Sequence, residues 1–193
     1  MGHWEFEHSA DSEASPAAVW DRYKDVDNWS QWSTKGVEES SLDGDFKVGT
    51  EGMSKAPHLP KGRFELIEVE PEQRFVSKAT FPGGTMHFEH ILDATDGGTR
   101  ITHKASLDGP LVFLWSPVIG RIVQRGLPSG VERLAELAVE KEKEAEKDAK
   151  EDEEREERLE KADKEFKEEI ERTVGEGKDA GGASLPGSVG KES

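Results

Sequence analysis

The chain has 193 residues, no cysteine and a formal net charge of -16 at pH 7. That charge disfavours nucleic acid and an anionic membrane surface as partners, because both need clustered Lys and Arg. Without Cys there is no disulfide frame, no thiolate nucleophile and no Cys-ligated zinc, and no apolar run approaches the ~20 residues that span a bilayer, so no membrane insertion is expected.

In chain order the first element is WEFEHSA, which alternates cleanly: Trp4, Phe6, His8 and Ala10 take one face of a strand and Glu5, Glu7 and Ser9 the other. The same N-terminus lacks a basic region followed by an apolar run, so no signal peptide and a cytoplasmic location are expected. Next, SPAAVWDRYK places Ser15 as a cap and Pro16 at the first helical position, predicting a short helix over Ala17–Lys24. Asp27 is expected to cap a second turn that carries Trp29 and Trp32. Short strands are expected around Gly36–Leu42 and Phe46–Ser54. GRFELIEVEPEQRFVSKAT then reads as a hairpin about Pro71 and Glu72, with Phe64, Leu66, Phe75, Ser77 and Ala79 on one face, although Ile67, Val69 and Val76 break the alternation. Glu68 falls on that face near the strand end.

The second hairpin, HFEHILDATDGGTRITHKASL, is better determined. Asp96-Gly97 is a two-residue turn signal, since both central positions of a type I′ turn need positive φ. Closing the turn there sets Met86, Phe88, His90 and Leu92 opposite Leu107, Ala105, His103 and Ile101, while Glu89 meets Lys104 and Asp93 meets Arg100 on the other face. A one-residue slip sets His90 against Lys104, so the first register is favoured. It puts two imidazoles, His90 and His103, side by side on an otherwise apolar inward surface.

The stretch LVFLWSPVIGRIVQRGLPSGVERLAELAVE is helical in period, with Val118, Ile122, Val131, Leu134 and Ala138 read as one stripe and a kink expected at Pro128. Composition then changes: all five Trp, the single Tyr and seven of eight Phe precede residue 140. The chain accordingly divides into a folded domain (1–140), a Glu/Lys-rich helical extension (141–174) and a disordered tail (175–193). In the extension Glu146–Lys150, Glu154–Arg158, Glu157–Lys161, Glu160–Lys164, Asp163–Lys167 and Glu168–Arg172 have the spacing of helical ion pairs. Leu159, Ala162, Phe166 and Ile170 form a short apolar stripe there, a candidate surface for a protein partner or self-association.

The order of these elements resembles the START-like (helix-grip) superfamily, also called SRPBCC, in its polyketide cyclase/dehydrase and lipid transport branch. The likeness rests on ASPAAVWDRYKDVDNWSQW, GRFELIEVEPEQRF, GTRITHKASLDGPLVFLW and GLPSGVERLAELAVE, and covers about residues 3–140. It implies an α+β fold in which a curved antiparallel sheet wraps a long C-terminal helix and two short helices close one end. It also implies a cavity for a small hydrophobic molecule, a lipid or an aromatic polyketide-like metabolite.

With the register, that resemblance nominates Phe64, Phe75, Met86, Phe88, His90, His103, Trp115 and Trp32 as ligand-binding residues. Two other functions stay open. His90 or His103 could serve as acid–base in a cyclase or dehydratase, or the chain could act as an interaction scaffold through residues 141–174. No cofactor is expected. His8, His90 and His103 are nevertheless the residue type that holds zinc with an open position, and so are alternative metal ligands. His58, His87 and His3 are expected to face away from this centre. No phosphate-cradling glycine motif occurs; PGGT and DGGT read as turns.

Overall fold

The computed structural model describes residues 2–33 and 35–179, the side chains of 172–179 excepted. Seven strands form one curved antiparallel sheet: β1 (Gly2–Ser12), β2 (Glu39–Leu42), β3 (Glu51–Lys55), β4 (Gly62–Glu70), β5 (Arg74–Phe81), β6 (Gly84–Thr95) and β7 (Gly98–Gly109). Their order is β1-β7-β6-β5-β4-β3-β2, so the first strand lies beside the last and every other neighbour is sequential. The Asp96-Gly97 hairpin closes in the expected register, with His90 opposite His103, Phe88 opposite Ala105 and Glu89 opposite Lys104, but not through the expected type I′ turn: neither Asp96 nor Gly97 has positive φ, which falls on Gly98 at 138°. Strand β1 adds His8 opposite His103 and Phe6 opposite Ala105.

The inner face is therefore ruled in rows. Trp4, Leu107, Met86 and Ala79 make one, and Phe6, Ala105, Phe88, Ser77 and Leu66 the next; His8, His103, His90, Phe75 and Val69 make the third. The third row needs a bulge. β4 and β5 keep the expected pairing through Leu66 and Ser77, then shift by one residue between Leu66 and Glu68. The extra residue, Ile67, explains the broken alternation. The shift also turns Glu68 to the outer face, where it pairs with Arg74 at 2.9 Å, and not to the inner face that strict alternation assigns it.

Two short helices cover one end of this face. Helix α1 (Pro16–Lys24) begins at Ser15, whose Oγ accepts from the Ala18 amide at 3.2 Å. A 3-10 helix (Val26–Gln31) follows, and its flanking residue is Asp25 without a side-chain cap, not Asp27. The same Ser15 is held from the far side of the domain by Glu142, at 2.5 Å from its Oγ and 3.2–3.3 Å from its amide.

After β7 come α2 (Val112–Trp115), a π-turn (Ser116–Gly120) and α3 (Arg121–Asp179), which contains Pro128. Val131, Leu134 and Ala138 are buried as expected, but the stripe continues upstream through Leu127, Val123 and half-buried Ile119. Val118 is 50% exposed and Ile122 is not in the core. At ~100° per residue these two stand roughly half a turn out of phase with Val131, and fours, not the assumed spacing, hold the face.

Two compact units are distinguished, Met1–Glu144 and Ala145–Ser193. In the second, the helix carries the expected Asp163–Lys167 pair at 2.6 Å, along with Lys147–Glu151 at 3.4 Å. Leu159, Phe166 and Ile170 are exposed. The helix continues to Asp179, and the rest of the expected tail, 180–193, lies outside the described residues.

Candidate functional site

His90 and His103 are 5% and 3% exposed and stand against each other with ring centroids 4.4 Å apart. Their register partners alone do not bury them; α1 and the 3-10 helix do. Val19, Trp20 and Tyr23 recur at helical spacing on the buried side of α1, and Trp29 and Trp32 follow from the next turn. The Tyr23 hydroxyl shares a 2.8 Å hydrogen bond with His103 Nε2, its direction set by the imidazole tautomer. Phe75 stacks flat on His90 at 4.0 Å, Trp32 meets His103 edge-on at 5.6 Å, and Trp29 stacks on Phe64 at 5.7 Å. The centre of the domain is an aromatic cluster threaded by one Tyr–His–His group.

Two ring nitrogens in this cluster are poorly served: Trp32 Nε1 is buried without a hydrogen bond, and His90 Nδ1 has none of good geometry although the Phe75 backbone lies within reach of the His90 ring. Buried polar groups are nearly always paired, and an orphan costs about 1–3 kcal/mol, so both are informative. Trp32 Nε1 is only a donor, whereas a neutral His90 can donate or accept at Nδ1.

Burial sets the charge state. Desolvation, followed by the neighbouring His8, holds His103 down at about 3. His90 is pushed well below the ordinary histidine range by burial first and His103 second, with the Phe75 backbone acting in the opposite sense. Burial raises Tyr23 well above the usual phenol range. At neutral pH the group is uncharged and serves as a set of hydrogen-bonding atoms.

The other nominated residues separate into three groups. Phe64 and Phe75 belong to the buried cluster, while Met86 and Phe88 are half-buried further along the face, Phe88 with its ring 6.2 Å from His90. Trp115 is elsewhere: it sits at the end of the sheet with its ring 5.3 Å from Phe81 and its Nε1 donating to the Pro82 carbonyl at 2.9 Å. The length of the Gly109–Val112 connection, which sequence periodicity does not report, decides that place. His8 lies at the edge of the imidazole row, part exposed and 3.9 Å from Glu132 of α3. Among the described residues no three His, Cys, Asp or Glu side chains gather closely enough to hold a metal ion. Two surface hollows lie away from the cluster, one lined by residues including Asp27, Glu38 and Lys61, the other by Ala10–Glu13 with Glu132, Ala135, Glu136 and Val139.

Residues 3–139 match the family described as polyketide cyclase / dehydrase and lipid transport. The chain belongs to that family. No curated protein matches it significantly. Solved structures that resemble it share the helix-grip fold at low identity. Protein MLL2253 from Mesorhizobium loti is 16% identical over 69% of this chain and 96% of its own, with a TM-score of 0.56. Norcoclaurine synthase from Thalictrum flavum is 16% identical over 72% and 88%, TM-score 0.55. Ara h 8.0201 is 15% identical over 72% and 99%, TM-score 0.54.

Tyr23, Trp29 and Phe46 complete the family member's aromatic centre and were not among the residues nominated from sequence. Tyr23 had a signal: the only tyrosine of the chain lies three residues after Trp20 and four after Val19, on the same helical side.

Proposed function

We propose that this domain binds a small hydrophobic molecule on the inner face of its sheet and recognises it by one oxygen. The apolar part lies along the half-buried rows of Trp4, Met86, Phe6 and Phe88. The oxygen reaches the aromatic centre, where Trp32 Nε1 donates to it and His90 Nδ1 completes its hydrogen bonding. A phenol, alcohol or ketone fits these atoms; a hydrocarbon leaves Trp32 Nε1 unpaired. The observation that carries the reading is the donor-only Trp32 Nε1, buried without a partner in the aromatic centre that also holds the Tyr23–His103 bond. Family membership supports it at the level of the ligand class.

Recognition is favoured over acid–base catalysis by the same burial. A base works best with a pKa near the operating pH, and an imidazole held at about 3 is far from it. Native mass spectrometry of the full chain, with denaturing extraction, tests the proposal: an apolar, oxygen-bearing compound is expected to be released. An apolar dye displaced by long-chain alcohols or phenols, and less well by hydrocarbons of the same size, gives the second readout. His90→Phe and Trp32→Phe should remove that discrimination. Absence of any dye binding, or equal displacement by hydrocarbon and alcohol, sinks the reading.

A further inference from the structure

The chain has 42 acidic residues, yet residues 109–131 contain none, and this is its longest acid-free stretch. The structure gives that stretch two sides. Facing in, Val112 is buried, Trp115 seats on Phe81 and Pro82, and Ile119 packs on the core. Facing out, Phe113 is 66%, Leu114 57% and Val118 50% exposed. A helix that is apolar all round is ordinarily a buried one, and here the outer side lies open. Scattered exposed apolar residues are ordinary, but a contiguous group of large ones marks a docking surface. Along that outer side Leu114 and Val118 are followed, at three and four residues, by exposed Arg121 and Arg125.

Apolar side chains at a tip with guanidinium groups just behind them match the depth profile of a phospholipid interface, acyl chains below and phosphates above. The charge of -16 counts against an anionic surface for the chain as a whole, but an acid-free face is locally different. At physiological salt the screening length is ~8 Å, so the surface responds to the charges beside the contact and not to the total. The acids that flank the stretch in sequence are Asp108, hydrogen-bonded to His3 at 2.7 Å, and Glu132, 3.9 Å from His8. We propose that α2 and the π-turn dock on an anionic phospholipid surface, with Phe113, Leu114 and Val118 inserted and Arg121 and Arg125 on the phosphates. The surface stands independently of whether the interior holds a ligand.

Co-sedimentation of the full chain with phosphatidylcholine vesicles, with and without phosphatidylglycerol, tests it. Binding is expected to the anionic vesicles and to be roughly tenfold or more weaker without phosphatidylglycerol. The double variants F113D/L114D and R121E/R125E should each lose roughly tenfold or more of the anionic binding. Both change exposed residues, so melting should stay at the wild-type temperature. Because the chain has no cysteine, Phe113→Cys carrying an environment-sensitive dye reports insertion without either double variant, as a blue shift on anionic vesicles. No binding, equal binding to both vesicle types, wild-type binding by either double variant, or an unshifted dye overturns the proposal. Self-association lost in F113D/L114D without vesicle binding assigns the patch to a second copy and overturns it too.

Discussion

Lowering the pH from 7 to 5 tests the burial of His90 and His103 directly. In the unfolded chain each titrates near 6.5, whereas in the folded domain His103 is held at about 3 and His90 well below its ordinary value. Between those limits the unfolded state binds more protons, so stability is full above about 6.5 and falls as pH falls through the window. At pH 5 protonation stabilises an unfolded histidine by roughly 2 kcal/mol, which the buried ring forgoes. His103 therefore costs roughly 2 kcal/mol between pH 7 and 5, and His90 adds a loss of the same sign. Urea unfolding followed by tryptophan fluorescence, extrapolated to water at both pH values, measures the sum. His103→Gln keeps a hydrogen-bonding group for Tyr23 but no titrating ring, and should lose roughly 2 kcal/mol of the wild-type pH dependence. Exposed His3, whose pKa the Asp108 hydrogen bond raises, acts in the opposite sense; it cancels when variant and wild type are compared at the same pH. A stability that is flat from pH 7 to 5, or His103→Gln with the full wild-type slope, refutes the reasoning.

Three further outcomes are expected. Tyr23→Phe removes the hydroxyl 2.8 Å from His103 Nε2 and should cost about 1–3 kcal/mol in urea unfolding, because a buried ring nitrogen is left unpaired. Truncation after Glu144 should melt with the full chain, whereas truncation after Glu140 removes the Glu142 carboxylate that holds the start of α1 and should lose about 1 kcal/mol; equal melting of the two would show that latch to be inert. Gly98 has φ +138°, and a Cβ there would stand 2.1 Å from the Ser12 carbonyl oxygen, so Gly98→Ala should lower stability by about 2–4 kcal/mol in thermal melts.

The legible part of this protein was the part governed by short-range alternation. Two turn residues, Asp96 and Gly97, and opposite charges at Glu89–Lys104 and Asp93–Arg100 were enough to pair His90 with His103, as the structure does. The bulge at Ile67 left a trace too, in an alternation that fails midway. The place of Trp115 against Phe81 and Pro82 depends on how the chain returns across the sheet end, and nothing in its local pattern records that path. The Val118–Ile122 stripe fails because large apolar residues recur on every side of the chain from Leu111 to Val123, which leaves a period undefined.

Sequence by itself determined the antiparallel order of the later strands, the face each histidine takes, the capped first helix and the compositional break before the extension, because period, turn chemistry and charge pairing act within a few residues. Only tertiary structure decided that Tyr23 reaches His103, that Trp32 keeps an unpaired nitrogen, and that Phe113 and Leu114 remain outside. Those outcomes depend on how elements far apart in the chain cover one another, and coverage is what sets burial, hydrogen-bond satisfaction and pKa.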